Sequence, residues 1–216
     1  MTDRDLQQNI QNALDWEPSV ESSAIGVSVD NGIVTLRGDV PSFAEKEAAE
    51  HVALHVFGVR AVANDLNVQI PGAAERTDSD IAEAAVNALR WHSSVPEKNL
   101  SVVVRKGWIT LGGTADWQFQ KEAAARVVRD LTGVRGVTNT ITIHPRVKAG
   151  DVQAKIEAAF RRSAEIDSRR VNVAVQDSKI TLSGHVRSWA EREEAEKAAW
   201  AAPGVVQVDD RLTVVP

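Results

Sequence analysis

The chain contains the same pattern three times. The stretch NGIVTLRGDV (31–40) returns as KGWITLGGTA (106–115) and as DSKITLSGHV (177–186). Gly38 matches Gly113 at an offset of 75 and Gly184 at a further 71, and the same offsets carry Gly58-Val59 onto Gly133-Val134 and Gly204-Val205. Three copies therefore occupy residues 1–70, 77–145 and 150–216, joined by PGAAERT (71–77) and PRVKAG (145–150), which read as short linkers. An internal repeat constrains the fold more than any single motif, because one supersecondary unit must suit all copies.

Each copy tests the structural reading of the others. Leu6, Ile10, Ala13 and Leu14 recur as Ile81, Ala85, Ala88 and Leu89 and as Val152, Ile156, Ala159 and Phe160. That i, i+4, i+7, i+8 spacing is one face of a helix. Strict alternation follows, through Ile25, Val27 and Val29, through Leu100, Val102 and Val104, and through Val171, Val173 and Val175. Each is a half-buried strand. The quoted stretch is then the returning strand of a hairpin, with Asn31-Gly32 and Lys106-Gly107 at the tips; Gln176-Asp177-Ser178 has lost the glycine. A phosphate cradle would need those glycines, whereas a turn survives with Asp and Ser.

Gly38, Gly113 and Gly184 are read as structural residues at a strand-to-helix corner. Ser42-x-x-Glu45 and Ser188-x-x-Glu191 have the form of capping boxes opening a second helix, which buries Ala49, Val52, Ala53 and Val56 and their counterparts. A Gly-Val pair ends that helix, and a third strand follows through Val62, Leu66 and Val68, through Val137, Ile141 and Ile143, and through Val208, Leu212 and Val214. The expected class is α+β: three tandem α-β-β-α-β two-layer sandwich repeats, each a three-stranded sheet with two helices on one face. The last two strands of each repeat should run parallel, while the neighbour of the last strand stays open.

Asn64, Asn139 and Asp210 share strand parity with the buried valines, so a polar group should point inward in every repeat. It needs a partner. The expected one is backbone in the loop between the first helix and first strand. Trp16 and Trp91 share a column after the first helix and should close the core. Trp108, Trp117, Trp189 and Trp200 fall in columns with Lys179, Ser42, Gln118 and Arg129, which makes them candidate contact aromatics.

Glu47, His51 and His55 at i, i+4, i+8 suggest metal chemistry, but the histidine columns hold Arg126 and Lys197, then Asp130 and Ala201. Both positions read as solvent-facing, and no metal or other cofactor is expected. GVRG (133–136) has the form of the GxxG loop of a KH domain, yet it lies between helix and strand, and the other copies read GVRA and GVVQ. No Walker loop, dinucleotide fingerprint, HExxH or GxSxG is present, so no catalytic residue is assigned.

The net charge of -5 argues against a nucleic-acid partner, and the absence of cysteine removes disulfides, thiolate metal sites and a cysteine nucleophile. Charge is uneven: residues 1–74 hold 4 basic and 11 acidic groups, 75–146 hold 10 and 8, and 147–216 hold 11 and 11. The third copy places Arg161, Arg162, Arg169 and Arg170 around one helix-to-strand loop, a candidate anionic-surface site. The chain opens without a basic flank and apolar run, and no apolar run approaches the ~20 residues that cross a bilayer, so a cytoplasmic, not transmembrane, chain is expected.

GIVTLRGDV, GWITLGGTA and KITLSGHV, each followed by an Ala-rich helix and then by GVRAVANDLNV, GVRGVTNTITI and GVVQVDDRLTV, resemble the BON domain, the bacterial osmotic-shock and nodulation domain. The resemblance implies a non-enzymatic module of bacterial stress and envelope physiology that contacts phospholipid headgroups or an envelope-linked protein. Many members carry export signals, so it also implies a periplasmic location as the alternative. The second functional expectation is a cytosolic protein-interaction or self-assembly module without lipid contact.

Overall fold

A computed structural model describes residues 2–144, 152–163, 166, 169–176 and 178–215. The 145–150 linker and the turn residue Asp177 lie outside the described residues. One compact unit comprises the chain up to Thr114 together with Phe119–Ile141, and a second comprises Ala115–Gln118 and the chain from Thr142 onward.

Repeat 1 runs α1 (Asp3–Trp16), β1 (Ile25–Asp30), β2 (Ile33–Val40), α2 (Phe43–Leu54) and β3 (Ala61–Val68). Repeat 2 runs α3 (Asp78–Trp91), β4 (Leu100–Arg105), β5 (Trp108–Ala115), α4 (Gln118–Arg129), β6 (Gly136–Asn139) and β7 (Thr142–Ile143). Repeat 3 runs α5 (Val152–Arg162), β8 (Val171–Gln176), β9 (Lys179–Val186), α6 (Trp189–Trp200) and β10 (Gln207–Val214). In each sheet the second strand is central, antiparallel to the first and parallel to the last. This supplies the strand order that periodicity left open.

Repeat 3 shows how one core is made. Ile156 and Phe160 of α5, Ile180 and Leu182 of β9, and Ala195 and Ala199 of α6 belong to a single buried cluster. The second helix contributes mainly small side chains, with Ala49 and Ala53 in α2 and Ala195 and Ala199 in α6 fully buried, so that helix can lie close on the sheet. The third strand of repeat 2 differs from its counterparts by an interruption. Thr140 turns both its N–H (2.8 Å) and its hydroxyl (2.7 Å) onto the Leu111 carbonyl, and β7 resumes where the His144 N–H reaches the Ala115 carbonyl (2.8 Å).

The hairpin tips have an anchor that pattern reading does not supply. Asn31 and Gly32 have φ of 51° and 76°, and Lys106 and Gly107 have 52° and 77°. Their N–H groups donate to a carboxylate in the first turn of the repeat's first helix: Asn31 and Gly32 to Asp3 at 2.8 and 3.1 Å, Lys106 and Gly107 to Asp78, both at 2.8 Å. The corresponding position of repeat 3 is Ala149, and the corresponding turn residue is Ser178. Aspartate and glycine are thus lost together.

Two expectations need correction. Gly38, Gly113 and Gly184 lie within the second strand, paired with Ile25, Leu100 and Val171, rather than at the corner after it. Ser42 and Ser188 do cap their helices by accepting from Glu45 and Glu191 N–H, but the reciprocal half of the box is missing. Glu45 is buried and accepts from the Glu21 N–H (2.8 Å), tying α2 to the loop before β1, and Glu191 accepts from the Arg187 N–H (2.7 Å). Reciprocal boxes occur instead at Thr2/Asp5 and Thr77/Asp80.

Candidate anionic-surface site

The loop of repeat 3 that carries the arginines is shaped by its glycine. Gly184 has φ of +118°, and a Cβ there would stand 2.0 Å from the Arg170 carbonyl oxygen. Only glycine lets these backbones approach this closely. The His185 N–H then donates to the same carbonyl (3.2 Å), which holds Arg170 at the entrance to β8. The result is a cleft of about 620 Å³ lined by Arg169, Arg170, Asn172, Gly184, His185 and Val215.

The His185 ring has a defined orientation. Thr213 Oγ1 lies 3.2 Å from the Gly184 carbonyl, to which it donates, and 2.5 Å from His185 Nδ1. A hydroxyl has one proton, so Nδ1 must be the donor in the second contact, and Nε2 of the neutral ring carries the lone pair. Arg161 lines a neighbouring cleft that shares Asn172 with the first, and Arg162 follows it, exposed, in the last turn of α5. The four arginines are all exposed and occur around one end of the repeat.

The same place in the other repeats is chemically different. Offsets of 75 and 71 put Ser23, Ala24 and Asp39 at the positions of Arg169, Arg170 and His185 in repeat 1, and Lys98, Asn99 and Thr114 in repeat 2. Only the third copy combines two guanidinium groups with an imidazole.

The inward polar column has partners other than those expected. Asn139 Nδ2 donates to the Lys121 carbonyl of α4 (2.7 Å), and its Oδ1 accepts from the Ile141 N–H (3.2 Å). Asn64 does the same with Lys46 of α2 and Leu66, and also donates to Glu50 (2.8 Å). Asp210 accepts from the Leu212 N–H (2.8 Å) and pairs with Arg192 Nε (2.6 Å). The column ties the last strand to the second helix, not to the loop after the first. The parallel crossover places that helix over the last strand, which decides the partner.

The tryptophans also sort differently. Trp16 and Trp91, expected in the core, are 89% and 86% exposed, because the last residue of each first helix points beyond the sheet. Trp108 is 48% exposed on the helix-free face of its sheet, with Nε1 donating to Thr138 (2.8 Å). Trp117 and Trp189 are half-buried; the Arg192 guanidinium stands over the Trp189 ring at 4.8 Å, and the buried Trp189 Nε1 has no hydrogen-bond partner among the described residues. Trp200 is partly buried, packs on the core of its own repeat, and donates from Nε1 to Glu196 (3.3 Å).

Residues 2–70, 77–145 and 148–216 each match the family model of the BON domain. The chain belongs to the BON family. Among curated proteins, this BON chain is 31% identical to osmotically-inducible protein Y of Escherichia coli over 145 residues, covering 65% of this chain and 72% of that one. It is 30% identical to the 21 kDa hemolysin of Actinobacillus pleuropneumoniae, over 56% of this chain and 63% of the relative. It is 28% identical to the outer membrane lipoprotein DolP of Haemophilus influenzae, over 62% and 71%. Among the described residues of these BON repeats, no helix is long and apolar enough to cross a membrane.

Proposed function

We propose that this BON protein is a non-enzymatic binding module of bacterial stress and envelope physiology that associates peripherally with anionic phospholipid through its third repeat. The single observation that carries this reading is the cleft of Arg169, Arg170 and His185, a set that neither other repeat reproduces at the same positions. Two exposed guanidinium groups suit a phosphate, and the exposed Val215 at the rim suits the apolar edge of a lipid. Similarity to proteins named as osmotically inducible and as an outer membrane lipoprotein supports the setting.

Flotation of the full chain with anionic and zwitterionic vesicles at low and moderate salt tests the reading. Binding should be confined to anionic vesicles, weaken with salt, and vanish when Arg161, Arg162, Arg169 and Arg170 are changed together to glutamate. Equal binding to both vesicle types, or none, overturns it.

A second reading is a protein-interaction or self-assembly module, favoured by the exposure of Trp16 and Trp91. A contact led by those rings would persist as ionic strength rises and would be lost on Trp16→Ala and Trp91→Ala.

A further inference from the structure

His51 lies in the last turn of α2 and His55 is the C-cap residue that follows it in αR conformation, at the i, i+4 spacing that puts two side chains on one face. Their imidazoles are stacked, with ring centroids 4.1 Å apart and planes 27° from parallel. A ring nitrogen of one stands within 4.8 Å of a ring nitrogen of the other. Two Zn–N bonds of about 2.0–2.1 Å span roughly 4 Å at most, so the pair has to draw closer to share one ion.

The orientation of His55 is set by its own helix. Its Nδ1 stands 2.7 Å from the His51 carbonyl oxygen. A carbonyl only accepts, so Nδ1 carries the proton and Nε2 carries the lone pair of the neutral ring. A backbone carbonyl holding the non-ligating nitrogen is the usual second-layer support of a metal-binding histidine. That hydrogen bond fixes the His55 ring, which reduces the order that a metal would have to impose.

The setting also suits a cation. Residues 1–74 hold 11 acidic and 4 basic groups, the only strongly negative third of the chain. The corresponding histidine positions of the other repeats are Arg126 and Lys197, and Asp130 and Ala201, so this is a property of the first repeat alone.

We infer that His51 and His55 form a binding site for one divalent transition-metal ion of the zinc class, at the C-terminal end of the second helix of repeat 1. The chemistry is N-donor chelation by two neutral imidazoles, with water or a carboxylate completing the shell. The expectation of a merely solvent-facing pair came from the neighbouring columns, which say nothing of the stacking or of the His55 tautomer.

Zinc titration of the full, tag-free chain tests the site, followed by calorimetry and by the imidazole NMR signals of its five histidines. One equivalent should bind saturably, moving the His51 and His55 signals together while those of His92, His144 and His185 stay. Affinity should fall at least tenfold in His51→Ala and in His55→Ala. Circular dichroism of the metal-free variants should match that of the parent chain. No saturable binding, undiminished affinity in both folded variants, or shifts spread evenly over all five histidines overturns the inference.

Discussion

The indole of Trp108 lies across Gly136, its partner on the neighbouring parallel strand, so closely that a Cβ on Gly136 would come within 2.4 Å of the ring. The same pair of positions is Ile33 and Ala61 in repeat 1 and Lys179 and Gln207 in repeat 3. The large aromatic is matched by the smallest partner. This explains the final glycine of GVRG without a nucleic-acid clamp. Gly136→Ala should displace the ring and cost about 1–2 kcal/mol, an overpacking effect. Chemical denaturation followed by circular dichroism reads it, and combining Gly136→Ala with Trp108→Ile should restore most of the loss.

The strand glycines should be far less tolerant than the hairpin glycines. At Gly38, Gly113 and Gly184 a Cβ would stand 2.0 Å from the carbonyl oxygen of Ala24, Asn99 or Arg170, at φ between +106° and +140°. Backbone strain and collision act together, so Gly113→Ala should destabilise repeat 2 by roughly 3 kcal/mol. Urea unfolding with stability close to that of the parent chain would contradict this.

Acid should loosen repeat 2 through Asp78. Its carboxyl is held below the ordinary value of 3.8, first by the Gly107 N–H and then by the Lys106 N–H. A carboxylate depressed in the folded state contributes its full stability above the unfolded value and loses it as pH falls through the folded one. Stability should therefore be flat from neutrality down to about pH 5 and fall below about pH 4. Asp78→Asn should be less stable at neutral pH and show a shallower acid slope, measured by denaturation at a series of pH values.

Asn139 should matter more than its half-buried position suggests. Asn139→Leu removes the donor to the Lys121 carbonyl and the acceptor for the Ile141 N–H. Leaving such groups unsatisfied costs about 1–3 kcal/mol each, so a loss of roughly 2–3 kcal/mol is expected. Thermal unfolding of the variant against the parent chain measures it.

Helix faces, strand alternation and hairpin tips were all legible because each is set by spacing within one segment and was repeated three times. The arginine cluster was legible as four charges near one loop. Its assembly with His185 and Val215 was not, because those residues arrive from β9 and from the chain beyond β10. The Asp3 and Asp78 anchors were missed for a similar reason, since each joins residues 28 and 29 positions apart.

Period, parity and the glycine columns by themselves determined three copies of one α-β-β-α-β unit, because they express local geometry that each segment must satisfy. Tertiary structure alone decided which residues meet. It exposed Trp16 and Trp91, gave Asn139 a carbonyl of α4, and stacked His51 on His55. The physical reason is that a side chain's alternation says which face it occupies, whereas its partner depends on what the crossover lays against that face.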